Sequence, residues 1–224
     1  MKLKSNLHMH VAGDPEDHIS HTLREAIDAA KKLGFSVLAV TPHNALIGDE
    51  SDVCYAASLG ILLILGIERT IMGAHVVILN ATADVLSIKT FEHLAEYRKN
   101  HPESFIIAPH PFFPAGYALR KKFILHHALF DAVEFSWFFS RTIDFNLYAA
   151  KSAKIYDMPY IATSDTHDIR FLDAGYALID ADEKSPEKIF EAIRNRAFRN
   201  VSAPKNILVL AAYMAKRWGL QLFK

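Results

Sequence analysis

Two histidines near the start of the chain, in the stretch LHMH, are spaced in a way that could bind a metal ion. Successive side chains of a β-strand point to opposite faces, so His8 and His10 would share one face while Leu7 and Met9 share the other. Two neutral imidazoles on one face can bind the same cation. A half-exposed strand with two solvated histidines would show the same pattern, so the rest of the chain must decide between these interpretations.

Other potential metal ligands lie at the ends of apolar segments elsewhere in the chain, which has twelve histidines in all. In an α/β barrel the C-terminal ends of the strands meet at one rim, where active sites form. Imidazoles and carboxylates without a thiolate favour Zn, Mn or Fe. So many candidates exceed the about four to six ligands of one ion, which indicates two or three divalent ions. The candidates are His43, Glu68, His75, which opens HVVILN, His110, Glu134, Asp165 and His167.

Apolar segments with the pattern of strands alternate along the sequence with segments that have the apolar spacing of helices. This alternation predicts a mostly parallel α/β barrel. Several of the predicted strands are continuously apolar, which indicates burial on both faces. The predicted strands are 3–10, 36–41, 61–66, 75–80, 104–108, 131–135, 159–163 and 175–179, and the predicted helices are 22–33, 52–59, 90–100, 119–129, 142–156 and 186–196.

Composition is that of a single α/β domain: 224 residues, 51% hydrophobic, with a formal net charge of zero. That charge argues against a protein that coats nucleic acid. Cys54 is the only cysteine, which excludes an intrachain disulfide and suits a reducing cytosol; we expect its thiol to be buried and inert. With neither a signal peptide nor an apolar run of roughly 20 residues, a cytoplasmic protein is expected.

The C-terminal stretch 205–224 is predicted to form one more helix, with four basic residues and no acidic ones. We expect residues 1–204 to form the barrel and this helix either to pack on the same domain or to make a dimer contact. Its basic residues are Lys205, Lys216, Arg217 and Lys224.

The motifs LHMH, TPHN, APHP and SDTH, together with GIE and the His75 that follows it, resemble the metal-dependent PHP (polymerase and histidinol phosphatase) superfamily. The resemblance runs from about residue 5 to residue 170, with the motifs in the expected order. It implies a distorted (β/α)7 TIM-like barrel that holds up to three metal ions.

The resemblance also implies three sets of metal ligands, with Glu68 as the bridge between two ions. In order, these sets are His8, His10, Glu68 and Asp165; Glu68, His75 and His110; and His43 and His167 with one residue from the loop after His10.

The third set is the least defined because the sequence departs from the family there. The family usually has Asp before the histidine of the second motif, where this chain has Pro42, so His43 loses an orienting partner. In the loop after His10, the position where the family has Asp or His falls on Pro15 and Glu16. Of the candidates nearby, the spacing back from Gly34 favours His18 if the loop carries about three extra residues, Asp17 comes next, and Asp14 is a third that could instead only form a turn.

Clustered divalent ions favour the hydrolysis of phosphate esters, because a water shared by two ions becomes a hydroxide near neutral pH and the ions hold the phosphoryl oxygens. The resemblance implies the same activity. The expected catalytic residues are Glu68, as the bridge, and Asp165 and His167, which could move protons as well as bind metal.

Substrate binding would require groups besides the metal ions. Arg69, Arg141 and Arg170 follow predicted ligands and could bind a phosphate, although each could equally be solvated or form an outward salt bridge. Glu134 is expected to orient a ligand, with substrate binding and direct metal ligation as the alternatives. The aromatic residues 137–139 and 112–113 could stack on a base or sugar ring, or only pack at the mouth of the barrel.

The leading hypothesis is a phosphoesterase that acts on a small phosphorylated metabolite or nucleotide through a metal-bridging hydroxide. Two alternatives stay open: a nuclease or exonuclease-like PHP activity, and a non-catalytic metal-binding regulatory domain. The expected partner is a small phosphorylated substrate, and a homo-oligomer is left open.

Overall fold

The computed structural model describes residues 1–221, with side chains described through residue 216. Within this range the strands are β1 Lys2–Asn6, β2 Val37–Val40, β3 Leu62–Ile71, β4 Ala74–Leu79, β5 Phe105–Ala108, β6 Ala132–Ser136, β7 Tyr160–Thr163, β8 Gly175–Asp180 and β9 Phe198–Ser202. The α-helices are α1 Leu23–Lys32, α2 Glu50–Ser58, α3 Phe91–Asn100, α4 Lys121–His126, α5 Leu147–Ile155, α6 Pro186–Arg194 and α7 Ile207–Gln221.

The strands form one sheet in the order β7-β6-β5-β4-β3-β2-β1-β8-β9, which curls into a nearly closed barrel. Asn200 in β9 joins the two edges of the sheet: its Oδ1 accepts a hydrogen bond from the Ala162 N–H at 2.8 Å, and its Nδ2 donates to the Tyr160 carbonyl at 2.7 Å. The distorted TIM-like barrel is therefore confirmed.

The sheet is less parallel than the sequence predicts. Of the eight neighbouring pairs among the described strands, β1–β2, β2–β3, β5–β6 and β6–β7 are parallel and the rest are antiparallel. The hairpin β3–β4 explains His75, because antiparallel pairing puts the start of β4 beside the end of β3, with His75 opposite Thr70. Strand β9 was not predicted, since its five residues FRNVS are short and partly polar.

Apolar side chains fill the barrel and also cover its outer face. Leu7, Val37, Ile64 and Ile107 belong to the inner cluster, which Phe190 of α6 joins by stacking on Phe105 at 4.9 Å. Because Phe105 begins β5, α6 closes the barrel at the end from which β5 starts. That leaves the C-terminal end of β5 for the polar residues predicted there.

Local sequence signals set the helix ends. Thr22 and Glu25 form a capping box at the start of α1, and Ser185 followed by Pro186 begins α6. Two predicted helices are shorter than expected: α5 starts at Leu147 rather than 142, and the helix predicted over 119–129 is α4 followed by a short 3₁₀ turn. Cys54 is exposed on α2, so its predicted burial is wrong.

Helix α7 packs on the barrel through Leu210, which is buried with Trp137 and Ala174. The Lys216 Nζ lies 2.9 Å from the Asp168 Oδ2. Of the other basic residues predicted for this helix, Lys224 and the Arg217 side chain lie outside the described residues, while Lys205 precedes α7 and donates its backbone N–H to the Phe139 carbonyl. A dimer contact by this helix stays a prediction.

Each helix among the described residues is too short or too polar to cross a membrane.

Gly175, the first residue of β8, lies close to Thr163 at the end of β7. Its replacement tests whether β7 and β8 approach each other this closely. A Cβ at this position would lie 2.6 Å from the Thr163 carbonyl oxygen and 2.9 Å from the Trp137 Cβ. We expect Gly175→Ala to lower the free energy of unfolding by about 1–3 kcal/mol, the usual cost of overpacking. Urea denaturation would measure this.

The matched control is Gly116→Ala, since nothing lies within 4 Å of a Cβ placed there. Equal stabilities of the two variants would contradict the close approach of β7 and β8.

Candidate metal centre

The predicted ligands meet at the end of the barrel opposite α6. Although β1 ends at Asn6, the chain stays extended beyond it: the His10 N–H donates to the Thr166 carbonyl at 3.0 Å, and the Met9 carbonyl accepts from the Thr41 N–H at 2.8 Å. The His8 and His10 imidazoles both share the polar end, as LHMH predicts, while Leu7 and Met9 are buried in two different apolar clusters.

The Glu68 carboxylate lies at the centre of the site and is 1% exposed. Its Oε2 is 3.0 Å from the Nε2 of His43, 3.3 Å from the Nε2 of His10 and 3.4 Å from the Nε2 of His8. Three imidazoles from different segments thus point at one carboxylate oxygen.

The other oxygen of the same carboxylate faces a second set of imidazoles. The Glu68 Oε1 is 3.0 Å from the His75 Nδ1 and 3.1 Å from the His110 Nε2. Glu68 therefore separates two groups of nitrogen ligands, the arrangement a bridging carboxylate needs.

Asp165 and His167, which follow β7, complete the site. The Asp165 Oδ1 lies 3.1 Å from the His10 Nε2, 3.5 Å from the His8 Nε2 and 3.3 Å from the His167 Nδ1. The His167 Nε2 lies 3.0 Å from the Asp17 Oδ2.

Two of these residues have backbone conformations that are unfavourable outside glycine. His110 has φ of 29° and Asp165 has φ of 42°. Both follow the last residue of a strand closely, and such strain is concentrated at functional sites, where the surrounding structure stabilises it.

Four groups of potential ligand atoms lie close enough together to hold a metal ion. Two of them coincide with the first and second sets implied by the resemblance, and a third contains both histidines of the third set. The groups are His8, His10, Glu68 and Asp165; Glu68, His75 and His110; His10, His43 and His167; and Glu16, His43 and His75.

The donor atoms fit divalent cations. The Glu68 Oε2 and the Asp165 Oδ1 are buried and form no hydrogen bond within the described residues, although imidazole nitrogens surround both. A buried carboxylate oxygen without a hydrogen bond is costly unless a cation compensates it. Imidazole and carboxylate donors without a thiolate suit Zn, Mn or Fe.

Buried charges of opposite sign determine the electrostatics of the site. Burial lowers the pKa of His8, but Asp165 and Glu68 raise it by more, so the pKa is well above its ordinary value. Burial raises the pKa of Glu68, but His75, His8 and His43 lower it by more, so this carboxyl stays ionised. The carboxylates therefore favour positive charge at the centre, for which protons and metal ions compete.

Two further carboxylates contact the Nδ1 atoms of His8, His10 and His43, the ring nitrogens that do not face Glu68. The Glu134 Oε1 lies 2.8 Å from the His8 Nδ1 and also accepts from the Thr163 hydroxyl. The Asp14 Oδ2 lies 2.8 Å from the His10 Nδ1 and 3.0 Å from the His43 Nδ1. Such partners fix the orientation and tautomer of a metal-binding histidine.

Asp14 is the orienting partner of His43. It takes the place of the Asp that the family has directly before this histidine, where this chain has Pro42. It also accepts the backbone N–H groups of Glu16 and Asp17, so the turn expected around Asp14 forms as well. Neither Asp17 nor His18 belongs to the four groups, but Asp17 is half-buried with its Oδ2 3.0 Å from the His167 Nε2, whereas His18 is exposed. The structure therefore favours Asp17 over His18, and Glu16, placed near His43 and His75, is an additional candidate that sequence reasoning missed.

The arginines predicted for substrate binding point elsewhere. Neighbouring residues of a strand face opposite sides, so Arg69 points away from Glu68 and donates to Asn44 at 2.6 Å and to the Ile88 carbonyl at 3.0 Å. The Arg170 guanidinium pairs with Asp168, its Nη2 2.6 Å from the Oδ2.

Arg141 lines a surface cavity beside Lys205 and Asn206. Among the described residues, none of these three arginines lines the cavity of about 120 Å³ at the cluster. Substrate binding by these arginines therefore stays a prediction.

Replacement of Glu134 by Gln tests the role of the carboxylate behind His8. The amide keeps the shape of the side chain but replaces one acceptor oxygen by a donor, so the His8 tautomer is no longer fixed. We expect metal affinity to fall by about 10- to 100-fold, as is usual for such partners. Competition with a chromophoric chelator would measure the change.

The control is Glu103→Gln, on an exposed carboxylate. Unchanged metal affinity in Glu134→Gln would contradict an orienting role.

Comparisons with known proteins agree with this geometry. A family model described as PHP-associated matches residues 144–198, which include Asp165 and His167. No curated protein matches the sequence. A two-domain protein from Bacteroides vulgatus that contains a PHP-like metal-dependent phosphoesterase is similar in structure, with a TM-score of 0.68 and 22% identity over 90% of this chain and 65% of that one.

Two other solved structures are similar. PsfC from Pseudomonas syringae has a TM-score of 0.67 and 14% identity over 95% of this chain and 97% of its own. The lesion-specific endonuclease PfuEndoQ from Pyrococcus furiosus has a TM-score of 0.62 and 16% identity, over 89% of this chain and 58% of its own. The chain thus spans less than two thirds of the Bacteroides and Pyrococcus proteins. At these identities the likeness establishes the fold, and the resemblance to the PHP superfamily predicted from the motifs is confirmed.

Proposed function

We propose that the chain is a metal-dependent hydrolase of phosphate esters that acts on a small phosphorylated metabolite or nucleotide. The observation that supports this most strongly is the Glu68 carboxylate, whose two oxygens face separate sets of imidazoles. A centre of two or more divalent ions is suited to phosphate esters. The similar structures named phosphoesterase and endonuclease support the same reaction class.

Three sets of side chains would hold the ions, which we propose to be Zn, Mn or Fe. When bound, such ions neutralise the phosphoryl oxygens and activate water as a nucleophile. The sets are His8, His10, Glu68 and Asp165; Glu68, His75 and His110; and His43 and His167 with Asp17.

The protein's own groups would position the ester and manage protons. Water adds to phosphorus, the ester P–O bond breaks, and the leaving alcohol oxygen needs a proton. The His167 Nδ1 lies 2.9 Å from the Asp165 carbonyl oxygen and its Nε2 faces Asp17, so this imidazole would supply the proton only in a state in which its Nε2 does not hold an ion. Tyr117, which stacks on His75 at 4.5 Å, narrows the approach to the cluster.

A nuclease is the second candidate, and it rests on one observation. A structure of endonuclease Q with a duplex that carries an abasic lesion is similar, with a TM-score of 0.62 and 16% identity. The chain spans only 60% of that protein, and its formal net charge of zero offers no strong field for a nucleic-acid backbone. Assays of phosphomonoesters beside short single-stranded and duplex DNA separate the two activities.

Removal of a ligand of the first set should lower the amount of bound metal and reduce hydrolysis strongly. We expect His8→Ala to lose the ion of the first set and to reduce hydrolysis of the best phosphate ester by more than the about 100-fold that loss of an outer partner costs. Elemental analysis of the purified protein and a phosphate-release assay would measure the two effects.

The control is His93→Ala, which removes an exposed imidazole on α3. A His8→Ala protein with full metal content and activity would refute the proposal. Wild-type protein that binds metal but hydrolyses neither phosphomonoesters nor DNA would favour the non-catalytic alternative.

A further inference from the structure

A second cavity, of about 280 Å³, opens beside the metal centre. His110 and Asp165 line both this cavity and the one at the cluster, so the two spaces are adjacent. A molecule whose phosphate lies at the centre could therefore extend into the second cavity.

The walls of this cavity are aromatic and uncharged away from the metal centre. The rings of Phe113, Trp137, Phe138 and Tyr213 line it, together with Met214. Its lining, within the described residues, includes no Lys or Arg. We refer to it as the aromatic cavity.

Helix α7 supplies one wall and is held in place by contacts on two sides. The Tyr213 ring lies edge-on to Trp137 at 5.2 Å and to Phe171 at 5.2 Å. The ion pair between Lys216 and Asp168 fixes the next turn of the helix beside His167.

We propose that the aromatic cavity binds the alcohol part of the ester and that this part carries an uncharged flat ring. Aromatic faces attract flat rings by stacking and by removing apolar area from water. A second phosphate or a carboxylate would lose its hydration there without a cation to compensate it. The volume is near the lower limit of about 300–1,000 Å³ for small-molecule pockets, which suits one ring system.

This inference rests on the proposed function, because it assumes that the phosphate lies at the metal centre. A matched pair of phosphonates tests it without hydrolysis, since their C–P bond is not cleaved. Benzylphosphonate and methylphosphonate share the same head group and differ in the ring. We expect the Mn²⁺-loaded protein to bind benzylphosphonate at least about tenfold more tightly by calorimetry, a gain typical of one stacked ring.

Substitutions in the walls should remove this preference. In Phe138→Leu and Tyr213→Leu, which keep apolar volume but lose the ring, the ratio of the two affinities should fall by about fivefold or more, while affinity for methylphosphonate changes less than about twofold. The matched control is Leu208→Ala on the exposed side of α7, which should keep the wild-type ratio.

Hydrolysis assays extend the test by showing which kind of ring the cavity binds. Hydrolysis of phenyl phosphate, uridine 5′-monophosphate and adenosine 5′-monophosphate is compared with that of glycerol 3-phosphate. Higher kcat/KM for any ring-bearing ester, lost in Phe138→Leu, supports the inference and identifies the ring. Equal kcat/KM for ring-bearing esters and glycerol 3-phosphate overturns it.

The two proposals fail in different ways. Equal affinity for the two phosphonates refutes the aromatic cavity as a binding site even if phosphate esters are hydrolysed. A clear preference for benzylphosphonate without hydrolysis of any ester supports the cavity and refutes the hydrolase.

Discussion

The structure depends on one buried carboxylate. Glu68 is almost fully enclosed, and five imidazoles lie within 3.0–3.4 Å of its two oxygens. An isolated buried carboxylate would be prohibitively costly, so Glu68 needs compensating positive charge, either from protonated imidazoles or from bound cations. The rest of the barrel end supports this one arrangement.

The fold brings these groups together from distant parts of the chain. Parallel strands deliver histidines where they end, and the β3–β4 hairpin returns His75 to the same rim. Carboxylates of Asp14 and Glu134 then hold the far nitrogens of His10 and His8. The imidazoles are thus fixed by the protein itself, which keeps donor atoms oriented toward a common space.

Much of the site could be predicted from sequence, because strand alternation and strand ends constrain where a side chain points. LHMH placed two imidazoles on one face, and the residues after other strands converge as expected. The direction of Arg69 was also open to prediction, since it must face away from Glu68 in the same strand. The position of Arg69 directly after Glu68 in the sequence therefore does not place both side chains in the same site.

Other features depend on tertiary contacts that local patterns do not encode. The strand β4 was predicted, but its antiparallel direction depends on its pairing partners, and the short β9 was missed because it lacks a strong alternation. Asp14 is fixed as the partner of His10 and His43 by a turn in the irregular loop, which spacing alone could not resolve. Likewise, only the packing of α7 shows that Tyr213 reaches the site.

The central claim is that Glu68 lies between metal ions in a closed ligand cluster. Anomalous diffraction from crystals grown with Zn²⁺ or Mn²⁺ tests this most directly, because it locates each ion without assumptions about activity. We expect at least two anomalous peaks, one on each side of the Glu68 carboxylate. One should lie within bonding distance of His8 or His10, and the other within bonding distance of His75 or His110. Peaks elsewhere on the surface with none at Glu68 would contradict it.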